Sequence, residues 1–277
     1  MTYKEPEIEE YWLVLNDVHC GSEVAPMPPK VEQKLVTGEV RTITPNPSQK
    51  IINKEWASML ANLPELTGVI CNGDMCDGNN RKSVGRGVWT TDLRTQVKAC
   101  AELLRPIQKR MKHPGNMFFS LGSEYHVVDD RPLDQAVCDE LGGHYQAELL
   151  IPMLKGEFRV QAHHVINGGL GAWQYRTTSL ARDQMLLELN AAEKEYGQVN
   201  WILRAHAHYQ VTIEFSPRKG ASICPCWQGK TEFGVRKGMI NVPRVGYSLL
   251  KIYEDGSAHL TFHSKKLLNP CKEVEVE

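Results

Sequence analysis

An α/β or layered α+β fold is what this sequence predicts, and three observations predict it. Short apolar runs recur along the chain, each ended by Gly, Asp or His. Segments with helical periodicity lie between them, and a tail of short strands and turns follows from Val211. Strands alternating with helices put helices on the faces of a largely parallel sheet, while the tail adds antiparallel pairs.

The predicted strands, in order, are Tyr11–Asn16, Gly68–Asn72, Met117–Leu121, Phe158–His163 and Trp201–Ala205, with Val211–Phe215, Tyr247–Tyr253 and His259–His263 in the tail. All are rich in apolar or β-branched residues and bounded by turn formers. Between the second and third, Asp92 precedes Leu93, Val97, Cys100, Leu104 and Ile107 at three- and four-residue spacing, which reads as a capped amphipathic helix. Ser179 is the expected cap of another, with Leu180, Leu187 and Ala191 on one face and Gly197 ending it. Asn53–Leu63 and Leu133–Leu141 are further helices. Residues 21–47, rich in proline and polar side chains, read as a long loop or insertion after the first strand. With neither an internal repeat nor a linker, residues 1–277 are expected to form one domain.

Composition narrows the class. The 277 residues carry 32 Lys and Arg against 33 Asp and Glu, a net charge of −1, with 42% hydrophobic and 23% charged residues. These are ordinary globular values, and they exclude global disorder, collagen-like repeats and coiled coil. No apolar run approaches the ~20 residues of a membrane span, and the acidic first ten residues lack the apolar core of a signal peptide. The expectation is a cytoplasmic protein without membrane contact. The charge balance gives no sign of a strongly basic nucleic-acid domain, though a local basic patch stays open. Eight cysteines are too sparse for a disulfide scaffold, and Cys71/Cys76 and Cys224/Cys226 lack the paired spacing of a thiolate zinc site. They read as buried reduced thiols.

Four polar clusters fall at strand ends. The first is Asn16-Asp17-Val18-His19, where residues two apart in extended chain point the same way and bring a carboxylate and an imidazole together. The second, Asn72-Gly73-Asp74-Met75-Cys76-Asp77-Gly78, sets an acid on a glycine turn. The third is Gly122-Ser123-Glu124-Tyr125-His126, in which Glu124 can ligate and His126 can donate a proton. The fourth comprises His163-His164 and His206-Ala207-His208. Singly, each reads as readily as a polar turn. Of ten histidines, however, six (19, 126, 163, 164, 206 and 208) sit in these clusters, a gathering not expected of core histidines.

In order and spacing the set resembles the calcineurin-like metallophosphoesterases, from Asp17 to His208. Ile223-Cys224-Pro225-Cys226-Trp227-Gln228 and Val245-Gly246-Tyr247 are similar to segments of a phage-associated branch. The resemblance implies a four-layer α/β/β/α sandwich of two mixed sheets around two divalent ions. It implies Asp17, His19, Asp74 and His208 as ligands of the first ion, with Asp74 bridging to a second held also by His163 and His206. His163 is preferred to His164 as the first histidine after its strand. Where the family has Gly-Asn-His followed by Asp or Glu, this chain departs. Ser123 stands at the Asn position, and Glu124 is favoured as ligand with His126 as the displaced acid.

The implied reaction is hydrolysis of a phosphate ester by water activated between two metals, with His126 protonating the leaving oxygen. Borderline imidazoles with hard carboxylates suit Mn²⁺, Fe or Zn²⁺ better than Ca²⁺. A phosphodiester in nucleic acid or a nucleotide is favoured as substrate. The alternatives are a phosphomonoester, or a non-catalytic interaction module on the same fold. Trp173 or Tyr175 can stack on a base while Arg176 contacts phosphate, or these residues can form a packing cluster before the helix.

Overall fold

The computed structural model describes residues 6–79, 85–123, 127–128, 131–166, 175–236 and 242–267. In chain order the elements are β1 (Ile8–Leu15), β2 (Val31–Lys34), β3 (Val40–Ile43), α1 (Pro47–Asn62), β4 (Gly68–Asn72), α2 (Leu93–Gln108) and β5 (Met117–Ser120). There follow β6 (Val127–Val128), β7 (Arg131–Pro132), α3 (Leu133–Leu141), β8 (His144–Gln146), β9 (Leu149–Met153) and β10 (Phe158–Ala162). Next come α4 (Arg176–Ala192), β11 (Trp201–Arg204), β12 (Val211–Ser216), β13 (Lys219–Ile223), α5 (Glu232–Arg236), β14 (Arg244–Tyr253) and β15 (Ala258–Lys266).

Two mixed sheets result, one ordered β15-β14-β1-β4-β5-β8 and the other β12-β13-β11-β10-β9. In the first, β1, β4, β5 and β8 run parallel, while β14 and β15 close one edge antiparallel. In the second, β13, β11 and β10 are parallel between antiparallel β12 and β9.

Period-two alternation sorts the strands' side chains into three cores. Leu13, Leu15, Val69 and Cys71 turn toward α1, α2 and α3. Their neighbours Trp12, Val14 and Ile70 turn the other way, against Phe158, Val160, Ala162, Trp201 and Leu203 of the second sheet. Ile202, Ala221 and Ile223 face outward and are covered with Leu180 of α4. Three cores separate four layers, so the architecture is the α/β/β/α sandwich of two mixed sheets that the resemblance implied.

Several boundaries differ from expectation for local reasons. α1 begins at Pro47 and not near Asn53, because Asn46, at the end of the stretch read as loop, forms a reciprocal capping box with Gln49. That stretch also holds the β2–β3 hairpin. Asp92 caps α2 as predicted, its side chain accepting from Arg94 N–H. Ser179 does not cap α4. The helix starts at Arg176, Ser179 is buried within it, and it ends at Ala192 ahead of Gly197. All seven described cysteines are free and buried. Among the described residues, no helix is long and apolar enough to cross a membrane.

Candidate metal centre

The parallel strands of both sheets deliver their C-terminal ends to one place, where ligand sites of α/β sheets commonly lie. After β1 and β4 the chain runs on as two loops joined by backbone hydrogen bonds. Asp17 N–H donates to Gly73 C=O (3.1 Å), His19 N–H to Asp74 C=O (2.9 Å) and Cys20 N–H to Met75 C=O (2.9 Å). On the second sheet, Ala205 N–H donates to His164 C=O (3.0 Å), tying the loop after β11 to the loop after β10. The sheets meet where His206 N–H donates to Asp17 Oδ2 (3.1 Å).

Six side chains converge there as two groups, Asp17/His19/His208 and Asp74/His164/His206, each offering ligand atoms within 4.8 Å of one another. His208 Nε2 lies 3.2 Å from Asp17 Oδ1, and His164 Nε2 lies 3.0 Å from Asp74 Oδ2. The groups adjoin, with His164 Nε2 also 3.7 Å from Asp17 Oδ1 and His19 Nε2 3.9 Å from Asp74 Oδ2. Asp17 and His164 are fully buried and Asp74 nearly so.

Backbone conformation shows how strongly the fold insists on this arrangement. Asp17, His19, Asp74, His206 and His208 all have positive φ, between 47° and 66°. Non-glycine residues adopt that region at a cost that surrounding structure must overcome, and such residues gather at functional sites. Gly73 and Gly122 are required by close approach. A Cβ on Gly73 would lie 2.5 Å from His164 Nδ1, and one on Gly122 would lie 2.1 Å from Asp74 Oδ1.

Other groups orient the six. Asp77 Oδ1 lies 3.0 Å from His19 Nδ1 and accepts from Gln228 Nε2 (2.8 Å), leaving His19 Nε2 turned to the carboxylates. His164 Nδ1 donates to Asn72 C=O (2.8 Å), with the same result for its Nε2. Ser123 donates to Asp74 from its N–H (2.7 Å to Oδ1) and its hydroxyl (2.9 Å to Oδ2). Buried Asp134, at the start of α3, accepts from Met75 N–H (2.8 Å) and Gly122 N–H (2.9 Å), holding the β4 and β5 loops together.

Electrostatics follow from packing acids against imidazoles out of water. Burial would raise the pKa of Asp17, but His208 and His164 outweigh it and hold the carboxyl well below the usual range. For His19 burial is likewise overcome, by the Asp17 and Asp77 carboxylates, and its pKa rises to about 10. His164 rises to about 9 against burial, through the charges of Asp74 and Asp17. His206 moves down, through burial and the neighbouring His164. Asp17 Oδ1 and His164 Nε2 are buried yet make no hydrogen bond of acceptable geometry. Two carboxylates and four imidazoles gathered in one place, with only His206 and His208 partly exposed, fit a pair of divalent cations.

The structure thus brings together Asp17, His19, Asp74, His206 and His208, and of the two adjacent histidines it is His164, not His163, that joins them. Gln161, His163 and Val165 share the outer side of β10 and its extension, facing a cavity of about 230 Å³ lined also by Glu148, Asp183 and Arg204. Strand alternation places His163 there, its Nδ1 donating to Val165 C=O (2.9 Å), and turns His164 inward. Tyr175 is 57% exposed, and the Arg176 guanidinium lies over the Tyr209 ring, 4.0 Å from its centroid, one residue beyond His208. Glu124, His126 and Trp173 lie outside the described residues. Sequence reasoning did not single out Asp134, which carried only the signal of an acid in a helical first turn. Asp77 was visible as part of its motif but had no assigned role.

No protein-family model and no curated protein matches the sequence. Solved structures do. A metallophosphoesterase from Sphaerobacter thermophilus is 11% identical over 92% of this chain and 88% of its own, with a TM-score of 0.40. A dimetal phosphatase from Danio rerio is 10% identical over 90% and 94%, with a TM-score of 0.39. A conserved uncharacterized protein from Streptococcus pneumoniae, described as a predicted phosphoesterase, is 10% identical over 92% and 98%, with a TM-score of 0.35. Overlaps this loose assign no activity. What fold and site themselves define is an α/β/β/α sandwich with two adjoining Asp/His groups at the strand ends of both sheets.

Proposed function

We propose that this chain is a metal-dependent phosphoesterase. The observation that carries the reading is the pair of adjoining groups, Asp17/His19/His208 and Asp74/His164/His206, with buried carboxylates at their border. Asp17, His19 and His208 would hold one divalent ion and His164 and His206 the other, with Asp74 between them. Mn²⁺, Fe or Zn²⁺ suits this donor set. When bound, such a pair supplies Lewis acidity for a phosphate oxygen and a water made nucleophilic near neutral pH.

The chain's own residues complete the task. Asp77 and the Asn72 carbonyl fix which imidazole nitrogen faces the ions, and Ser123 fixes the Asp74 carboxylate. Arg176, whose buried Nε has no hydrogen-bond partner and whose guanidinium lies over the Tyr209 ring, would supply positive charge for the non-reacting phosphate oxygens. His126, three residues beyond Ser123 in sequence, gives its proton to the departing oxygen, and Glu124 is a further ligand. A base would stack on exposed Tyr175 or on Trp173, which favours a phosphodiester in a nucleotide or nucleic acid over a monoester. The segments Ile223–Gln228 and Val245–Tyr247, which support placement in a phage-associated branch, meet through Cys226 and Val245, and Trp227 N–H donates to Asp17 C=O (3.0 Å).

The test is turnover of bis-p-nitrophenyl phosphate and p-nitrophenyl phosphate with added Mn²⁺. The expected result is metal-dependent hydrolysis, faster on the diester and lost in Asp74→Asn. Metal binding without turnover of either ester would instead make the chain an interaction module.

A further inference from the structure

We infer that α4 is a self-association surface on which a second copy of this chain docks antiparallel. The helix is amphipathic on its inner side only. Ser179, Leu180 and Gln184 are buried against the second sheet, and Leu187 packs on the same core. The outer side, where a solvated helix should be polar, carries Met185, Leu186 and Leu189, exposed by 57%, 47% and 52%. Scattered exposed apolar residues are normal, but a contiguous stripe marks an interaction site.

Charge identifies the occupant. Arg182, Leu186, Leu189 and Glu193 advance by four, three and four residues, so they form one line along the helix, about 16 Å long at ~1.5 Å per residue. Arg182 and Glu193 are exposed at its two ends. The line is self-complementary under a two-fold axis through its midpoint. Leu186 of each copy meets Leu189 of the other, and Arg182 of each meets Glu193 of the other. Charge order within the helix points the same way. The acid stands at the C-terminal end and the base toward the N-terminal end, the reverse of what the helix dipole favours. An antiparallel copy brings each charge to the helix end that favours it.

Sedimentation equilibrium of the full chain around a loading of about 10 µM, typical of weak homodimers, tests this. A concentration-dependent dimer is expected. Leu186→Glu should abolish it, and the milder Leu189→Gln should weaken it, with unchanged circular dichroism showing that the fold is intact. Arg182→Glu and Glu193→Arg should each weaken the dimer about tenfold, since two symmetric pairs become like-charged at once, and the double variant should regain it. A wild-type monomer at every loading overturns the inference. So does a dimer indifferent to Leu186→Glu, or a charge-swapped double variant no tighter than the singles.

Discussion

The first sheet supplies the centre's acids on loops that brace one another, whereas the second sheet supplies imidazoles held by the first. Asp17, His19 and Asp74 ride on loops joined by a run of backbone hydrogen bonds, with Asp77, Ser123 and Asp134 supporting them from behind. On the other side, His164 leans on the Asn72 carbonyl at the end of β4, and the His206 backbone leans on Asp17. The geometry of the second group is therefore set across the gap between the sheets. Damage on the first sheet should disable the whole centre, while damage on the second should remove one ion's share of it.

The largest effect belongs to the border carboxylate. Asp74→Asn should lower metal-dependent turnover by roughly 10³-fold, beyond the ~10–100-fold typical of an outer support, because it touches both groups. Steady-state kinetics with saturating Mn²⁺ would show it, and a loss below tenfold would mean that the two groups work separately. Second comes the contrast between neighbours on β10's extension. His164→Ala should halve the bound metal, but His163→Ala should leave metal content unchanged, and elemental analysis of both variants reads the difference directly.

Stability offers a further contrast. A methyl at Gly122 would collide with Asp74 Oδ1 at 2.1 Å and crowd Asp134 Oδ2 at 2.8 Å, so Gly122→Ala should cost about 1–3 kcal/mol in urea unfolding. An unaltered midpoint would mean that the bracing of the first-sheet loops is slack. Asp77→Asn is gentler and should weaken metal affinity by about 10–100-fold with little change in the fold.

The smallest effect is on pH dependence. His19 and His164, raised to about 10 and about 9 in the metal-free fold, stabilise it fully below the ordinary histidine pKa of 6.5. That contribution disappears as pH rises through 9 to 10, because the unfolded chain has already lost those protons. The metal-free melting temperature should fall across this window. Since the ions must displace the same protons, metal binding at pH 8 should release them, which calorimetry in two buffers of different ionisation enthalpy would detect. Binding without proton release would contradict the electrostatic description.

Much of this arrangement was legible in the chain because it is local. β4 and α3 have the predicted bounds, since turn formers flank one and a fully periodic apolar face defines the other. Asp17 with His19, and His206 with His208, sit at two-residue spacing on sharp turns, and that spacing could be read directly. What escaped is long-range. Which of His163 and His164 faces inward depends on how β10 is laid against the first sheet, and alternation alone leaves both sides open. Asp134 is 60 residues from Asp74 in sequence, and only the fold reveals that it clasps the loops on either side of it. The start of α1 was hidden because its cap, Asn46, lies in a stretch whose prolines and polar residues read as loop.

Metal stoichiometry tests the central claim most directly. After loading with Mn²⁺ or Zn²⁺ and desalting, the wild-type chain should retain two ions, one for each Asp/His group, and the Asp17→Asn/Asp74→Asn variant should retain neither. A wild-type chain that binds only traces, or a double variant that binds as much as the wild type, would show that these six side chains converge for some purpose other than gripping cations.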